Sequence, residues 1–256
     1  PDLEPVGPAC VQNVVFRVIP ESSSRVAALL AREVDIIAAA PAEMIDTLGQ
    51  APGIQVKTAP STQPKWMEMN VNAAPFDDVL VRQAMNYAVD KELIIDAIYN
   101  GRAVALAGPL SPYNNFAHEG LDPYPYDPEE AKALLDEAGW VDSNGDGVRE
   151  KGGEDLVLRY VYISGDETTD TMVVSMQQML ADVGIKMEIQ GGTSEVLWAS
   201  FEESGPLAIG EYELTHWSDG MWYYPSPDTS YFLCDQIPSE DNPWGYNWFG
   251  ICARQL

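Results

Sequence analysis

The chain has 256 residues, 46% of them hydrophobic and 21% charged, ordinary proportions for a globular protein long enough to bury a core. Its charge balance is not ordinary, because 40 acidic residues against 14 basic ones leave a net charge of −26. That sign argues against a nucleic-acid partner and disfavours docking to an anionic membrane, and it suits a solvated acidic surface.

From the N-terminus, Val14 to Ile19 reads as a strand, and Val26, Leu29 and Leu30 form one face of a helix that starts near Ser22–Ser24. Val34–Ile37 is a second short strand, Glu43 to Leu48 a helix and Ile54 to Thr58 a third strand, a β-α-β-α-β piece. An extended run from Trp66 to Val71 then ends in asparagines and a proline. Asp77 is placed to cap the following helix, with Asp78 in its first turn and Val81, Ala84, Met85 and Ala88 on its buried face.

Asp90 is placed to cap a helix from Lys91 to Asn100, and Gly101 stands where a helix-ending glycine belongs. Residues 101–126, rich in Pro, Gly, Asn and Tyr, read as a long irregular surface loop. Asp127-Pro128-Glu129-Glu130 is the sharpest helix start, continued by Ala131, Leu134, Leu135 and Ala138. Leu156–Ile163 alternates as a strand. Thr168 to Val183 is a long helix whose Met172, Met176 and Met179 read as core, and Ile185–Ile189 is another strand. Glu195 to Phe201 reads as one more short helix, before a proline-broken aromatic tract from Tyr212 to Phe249.

Catalytic signals are thin. No Gly-rich phosphate loop, nucleophile elbow, H-E-x-x-H or C-x-x-C occurs. The adjacent pairs Asp77/Asp78 and Glu202/Glu203 do not flank a common point and read as caps or surface. Asp142-Ser143-Asn144-Gly145-Asp146-Gly147 copies the first half of a calcium loop. Gly153 stands at its twelfth position, so a helix-to-strand turn is the expectation.

No resident metal or cofactor is expected, since His118 and His216 complete no zinc pattern. Cys234 and Cys252 lie in one loop-rich tract, and a disulfide between them would imply an oxidising, extracytoplasmic compartment. Cys10 is then left over, as a buried thiol or a partner for a cysteine outside this chain. No apolar run approaches the ~20 residues of a membrane-spanning helix. The start at Pro1 and the ending at Leu256 read as those of a processed or excised piece.

The aromatic tract is the most informative functional feature. Trp198, Trp217, Trp222, Tyr223, Tyr224, Tyr231, Trp244, Tyr246 and Trp248 are too many for core alone, because buried Trp and Tyr need polar partners. Aromatic side chains on irregular backbone suit a ligand cleft; an aromatic-stitched surface tract around a disulfide is the alternative.

Asn72 through Asp90, with Pro75-Phe76-Asp77-Asp78 and Val81-Arg82-Gln83-Ala84, closely resembles the family 5 extracellular solute-binding proteins of ABC transporters. Tyr126 to Leu135, Ala138-Gly139-Trp140, Asp146 to Glu150, Gln177 to Ile189 and Gly245-Tyr246-Asn247 continue the resemblance in order. It implies an α/β, bilobed periplasmic-binding-protein-like fold (type II), here a fragment with a mixed sheet flanked by helices. Residues 1–60 would end the first lobe's contribution, 61–72 would hold a hinge-crossing strand, and 73–256 would form most of the second lobe.

The resemblance also implies a monomeric, extracytoplasmic receptor that captures a solute for a membrane permease and is not an enzyme. It points to Trp198 and Trp217 as ligand contacts; the expected site adds Trp222 as a further wall, Tyr223, and Asp219 or Asn247 as polar anchors. Gly220 stands where peptide binders of the family carry an aspartate, and Gly205 and Leu214 stand where some carry basic residues. A peptide-like solute and an oligosaccharide or other neutral solute therefore both remain open.

Overall fold

The structure is a computed structural model that describes residues 11–59, 61, 64–113, 120–218 and 230–252. It divides into two units, Pro1–Lys57 and Thr58–Leu256.

The first unit holds helix α1 (Ser22–Leu30), with Val26 and Ala28 buried, and a single 3-10 turn, Ala42–Met44, that runs into α2 (Ile45–Gln50) around buried Leu48. Both helices fall where the apolar spacing puts them. The three expected strands do not form, and the alternating run around Phe16 stays open to solvent, that ring being 93% exposed. Apolar alternation selects a strand only when a neighbouring strand takes its N–H and C=O groups. No such neighbour exists among the described residues of this unit.

The second unit opens with β1 (Lys65–Met69), followed by α3 (Val79–Ala88). Val81, Ala84, Met85 and Ala88 form the buried face of α3, as their spacing requires. The cap is Asp78 rather than Asp77: the helix starts one residue late, and the Asp78 carboxylate accepts from the Leu80 N–H at 2.9 Å. Asp90 caps α4 (Lys91–Tyr99) through the Leu93 N–H, and Asp127 caps α5 (Pro128–Glu137) through the Glu130 N–H with Pro128 as first residue.

After α5 a small hairpin pairs β2 (Glu150–Lys151) with β3 (Glu154–Asp155) and leads into β4 (Val157–Ile163). Helix α6 (Glu167–Ala181) buries Met172, Met176 and Met179, the three methionines expected in the core. It is followed by β5 (Lys186–Gly192), the single turn α7 (Ser194–Leu197) and β6 (Leu214–Ser218).

Four strands form one mixed sheet in the order β1-β6-β4-β5, with β1 antiparallel to β6 and the other neighbours parallel. Strand alternation divides its side chains between two faces. Leu158, Tyr160, Tyr162, Met187 and Leu214 face the main core with α3, α5 and α6. Val161 faces the other way, into a smaller cluster with Leu197, Leu207 and Tyr212.

Two arginines tie this frame together, Arg149 buried and Arg159 partly exposed. Arg159 grips Glu213 with two prongs, Nε to Oε2 at 2.9 Å and Nη2 to Oε1 at 2.7 Å, and its backbone N–H donates to the same carboxylate. Arg149 passes over Gly184 to donate to the Val183 carbonyl at 2.8 Å, the Trp140 carbonyl at 2.7 Å and Asp136. Gly184 is needed there twice, for its φ of +87° and because a Cβ would sit 2.7 Å from Arg149 Cγ.

Replacing Arg149 with alanine leaves two carbonyls unpaired under α5 and α6. Urea unfolding of Arg149→Ala should show a loss of roughly 2–4 kcal/mol with an unchanged slope.

Candidate functional site

The second face of the sheet carries the aromatic groups. Along β1 and the residue after it, Trp66, Glu68 and Asn70 alternate with Met67 and Met69, so the two methionines join the main core and the other three turn away. Asn70 fastens the incoming turn of β6 by donating to the Gly210 and Tyr212 carbonyls. Trp66 packs on the Tyr231–Phe249 cluster and donates its indole N–H to Glu68 Oε1 at 3.1 Å. A run of rings continues from there: Tyr231 to Tyr246 at 6.0 Å, Tyr246 to Trp248 at 6.2 Å, and Trp248 to Trp198 at 5.0 Å. These spacings suit tilted and edge-on aromatic contacts.

Residues 230–252 are held as a unit by Cys234 and Cys252, which form a disulfide. Asn247 bridges the same two chain ends: its amide donates to the Leu233 carbonyl at 2.9 Å and the Ile251 carbonyl at 2.6 Å, and accepts from the Gly250 N–H. Gly245 allows the close approach, since a Cβ would lie 2.2 Å from the Gln236 carbonyl oxygen. Asn247, expected as a polar anchor, is 0% exposed, and its amide is engaged with the backbone of its own tract.

Glu68 is 5% exposed, and burial pushes its carboxyl up to about 7 against the lowering influence of the Trp66 hydrogen bond. The Tyr212 hydroxyl is buried without a hydrogen-bond partner among the described residues, and burial together with Glu68 raises it well above the usual tyrosine range.

On the opposite face His216 Nδ1 meets the Tyr160 hydroxyl at 2.8 Å, while Tyr162 donates to Asp170 and Lys65 donates to Thr169. Burial, helped by Lys65 and opposed by Asp166, lowers His216 to about 4, so at neutral pH its ring is uncharged and shares a hydrogen bond with the Tyr160 hydroxyl.

Of the other expected contacts, Trp198 stands half-buried against Trp248. Trp217 occupies the β6 position paired with Trp66 on β1; its side chain, and all of Asp219, Trp222 and Tyr223, lie outside the described residues, as do Cys10 and His118. Trp66, Glu68 and Tyr212 were not expected at this face, although a glutamate in phase with Trp66 on a strand was a legible sign.

The calcium-like loop is a turn in geometry. Asp142 accepts from the Gly145 and Gly147 N–H groups, Asn144 from Asp146, and Asp146 from Val148. Among the described residues no group of His, Cys, Asp or Glu is arranged to hold a metal. Glu203 caps its own turn through Ser200, in keeping with a surface role for Glu202/Glu203.

The structure is thus a mixed α/β sheet with helices on one face and a series of aromatic rings on the other. Residues 5–238 match the model of the bacterial extracellular solute-binding proteins, family 5 (middle), and the chain belongs to that family, as its motifs anticipated.

Among relatives, the nickel-binding periplasmic protein of Escherichia coli (strain K12) is 30% identical over 196 residues, covering 74% of this chain and 37% of that protein. The glutathione-binding protein GsiB of Salmonella choleraesuis (strain SC-B67) is 29% identical over 201 residues, covering 78% and 36%. The oligopeptide-binding protein AppA of Bacillus subtilis, solved with a nonapeptide, superposes with a TM-score of 0.76 at 24% identity, covering 91% of this chain and 45% of that one. That likeness shows the fold. The chain spans little more than a third of the length of the curated relatives it matches here.

The two perturbed groups act on stability with opposite signs. Glu68, raised from 4.5 to about 7, gives stability that is complete below pH 4.5 and is lost as pH rises through 7. His216, lowered from 6.5 to about 4, gives stability that is complete above pH 6.5 and is lost as pH falls through 4. Each is worth roughly 3 kcal/mol, and they offset one another where the windows overlap. Chemical denaturation across that overlap should therefore show a steeper rise of stability with pH in Glu68→Gln than in the parent chain, and a steeper fall in His216→Gln.

Proposed function

We propose that this chain is part of the extracytoplasmic substrate-binding component of an ABC importer. It captures a peptide-like solute against the aromatic wall and delivers it to the membrane permease. The observation that carries this reading is membership of a solute-binding family combined with a ring series, Trp66 to Trp198, on the sheet face turned away from the main core. The Cys234–Cys252 disulfide supports an extracytoplasmic site of action, periplasmic or at the cell surface. Residues 1–60 are assigned to the end of the first lobe, 61–72 to a hinge crossing and 73–256 to the second lobe of a monomeric, two-lobed receptor. Trp198, Trp217, Asp219, Trp222 and Tyr223 are retained as the proposed ligand contacts.

A neutral oligosaccharide is the second reading. Gly205 and Leu214, where a fixed positive charge would hold a peptide carboxylate, are buried and uncharged. Rings without such a charge stack on a sugar as readily as on a peptide.

Isothermal titration of the complete two-lobed protein with peptide and oligosaccharide panels separates these readings. Binding heat with peptides is the expected outcome, heat with oligosaccharides alone selects the second reading, and no heat or thermal shift with either overturns both. Chromogenic glycosides and peptides should show no turnover, and any turnover abolished by a single Asp or Glu substitution would contradict the non-enzymatic role.

A further inference from the structure

Two carboxylates are buried on the aromatic side of the strands β1, β4 and β6. Glu213 is neutralised by Arg159, whereas Glu68 has no ion-pair partner among the described residues. The groups facing Glu68 come from three elements. Its own strand offers the Trp66 indole N–H. Beside β6 stand Thr215, directly across in the ladder, and Tyr212, whose buried hydroxyl has no hydrogen-bond partner among the described residues. The other charges on that side among the described residues of the strands are paired, Glu213 with Arg159 and Glu188 with Lys186. The third element is the disulfide-held tract, whose Tyr231 and Phe249 pack on Trp66.

We propose that Glu68 is a proton-operated latch that sets how firmly Trp66 holds the aromatic tract. Protonated from solvent, Glu68 is a neutral group suited to its buried position. Ionised, it keeps the Trp66 hydrogen bond but leaves an unbalanced negative charge beneath the Trp66–Tyr231–Phe249 cluster. That charge draws in water and loosens the packing of the tract. Only one proton moves, and no other group changes state. The burial of Glu68 centres the change near neutrality, where an extracytoplasmic protein meets ordinary shifts of pH. The latch therefore favours an ordered wall in mild acid and a looser one in mild alkali.

The test is intrinsic tryptophan fluorescence of the chain, without ligand, as pH is raised from mild acid to mild alkali. A sigmoidal change with its midpoint near 7 is expected. Glu68→Gln should hold the acid-form signal throughout, and Trp66→Phe should lose most of the amplitude. A step of unchanged size and midpoint in Glu68→Gln, or no step in the parent chain, overturns the proposal. In case Glu68→Gln does not fold, carbon NMR of the parent chain labelled at its glutamate carboxyls gives a second reading. One resonance titrating near neutrality supports the latch, and all of them titrating in the ordinary glutamate range overturns it. Because no ligand is present, failure here leaves the transport reading intact, and a failed ligand titration leaves the latch intact.

Discussion

The antiparallel register between β1 and β6 is the constraint on which the rest of the second unit depends. It joins residues about 150 positions apart, pairing Trp66 with Trp217 and Met69 with Leu214. With that register set, the period of two does the sorting: Met67 and Met69 enter the helix-covered core, while Trp66 and Glu68 turn to the aromatic side. A slip of one residue would exchange the faces, placing a glutamate among the core methionines. Asn70 guards against it by holding the Gly210 and Tyr212 carbonyls, and Arg159 clamps the neighbouring pair of strands through Glu213.

This frame explains how an acidic chain can carry a mostly apolar site. Most of its carboxylates face solvent or cap helices, where they are hydrated or meet backbone N–H groups. Glu68 is the departure, a carboxyl enclosed by rings on one side of the sheet. His216 is its counterpart on the other, a ring nitrogen kept neutral beside Tyr160. One is held toward its protonated form by burial and the other toward its unprotonated form.

The disulfide-held tract shows a different economy. Asn247 joins the same two chain ends as the Cys234–Cys252 bond, one by hydrogen bonds and the other covalently. An irregular segment without a ladder satisfies its buried backbone groups this way. The result is a rigid support for Tyr246 and Trp248. Gly245-Tyr246-Asn247, read from the sequence as a family signature with Asn247 as a ligand anchor, therefore has a structural cause for its glycine and asparagine.

Local chemistry was legible wherever neighbours in sequence decide the outcome. The caps at Asp90 and Asp127, the proline opening α5, the buried methionines of α6 and the turn at Asp142 follow from side chains reaching backbone groups three or four residues away. The strands expected around Val14, Val34 and Ile54 failed because a strand needs a partner that its own residues cannot supply. The cap at Asp78 instead of Asp77 is a matter of one residue, below what apolar periodicity resolves. The sequence by itself thus determined the helices, the family and the acidic surface. Only the tertiary structure decided that Glu68 is enclosed beneath Trp66 and beside Tyr212, because the β1–β6 ladder joins segments about 150 residues apart and a buried charge exists only once both are in place.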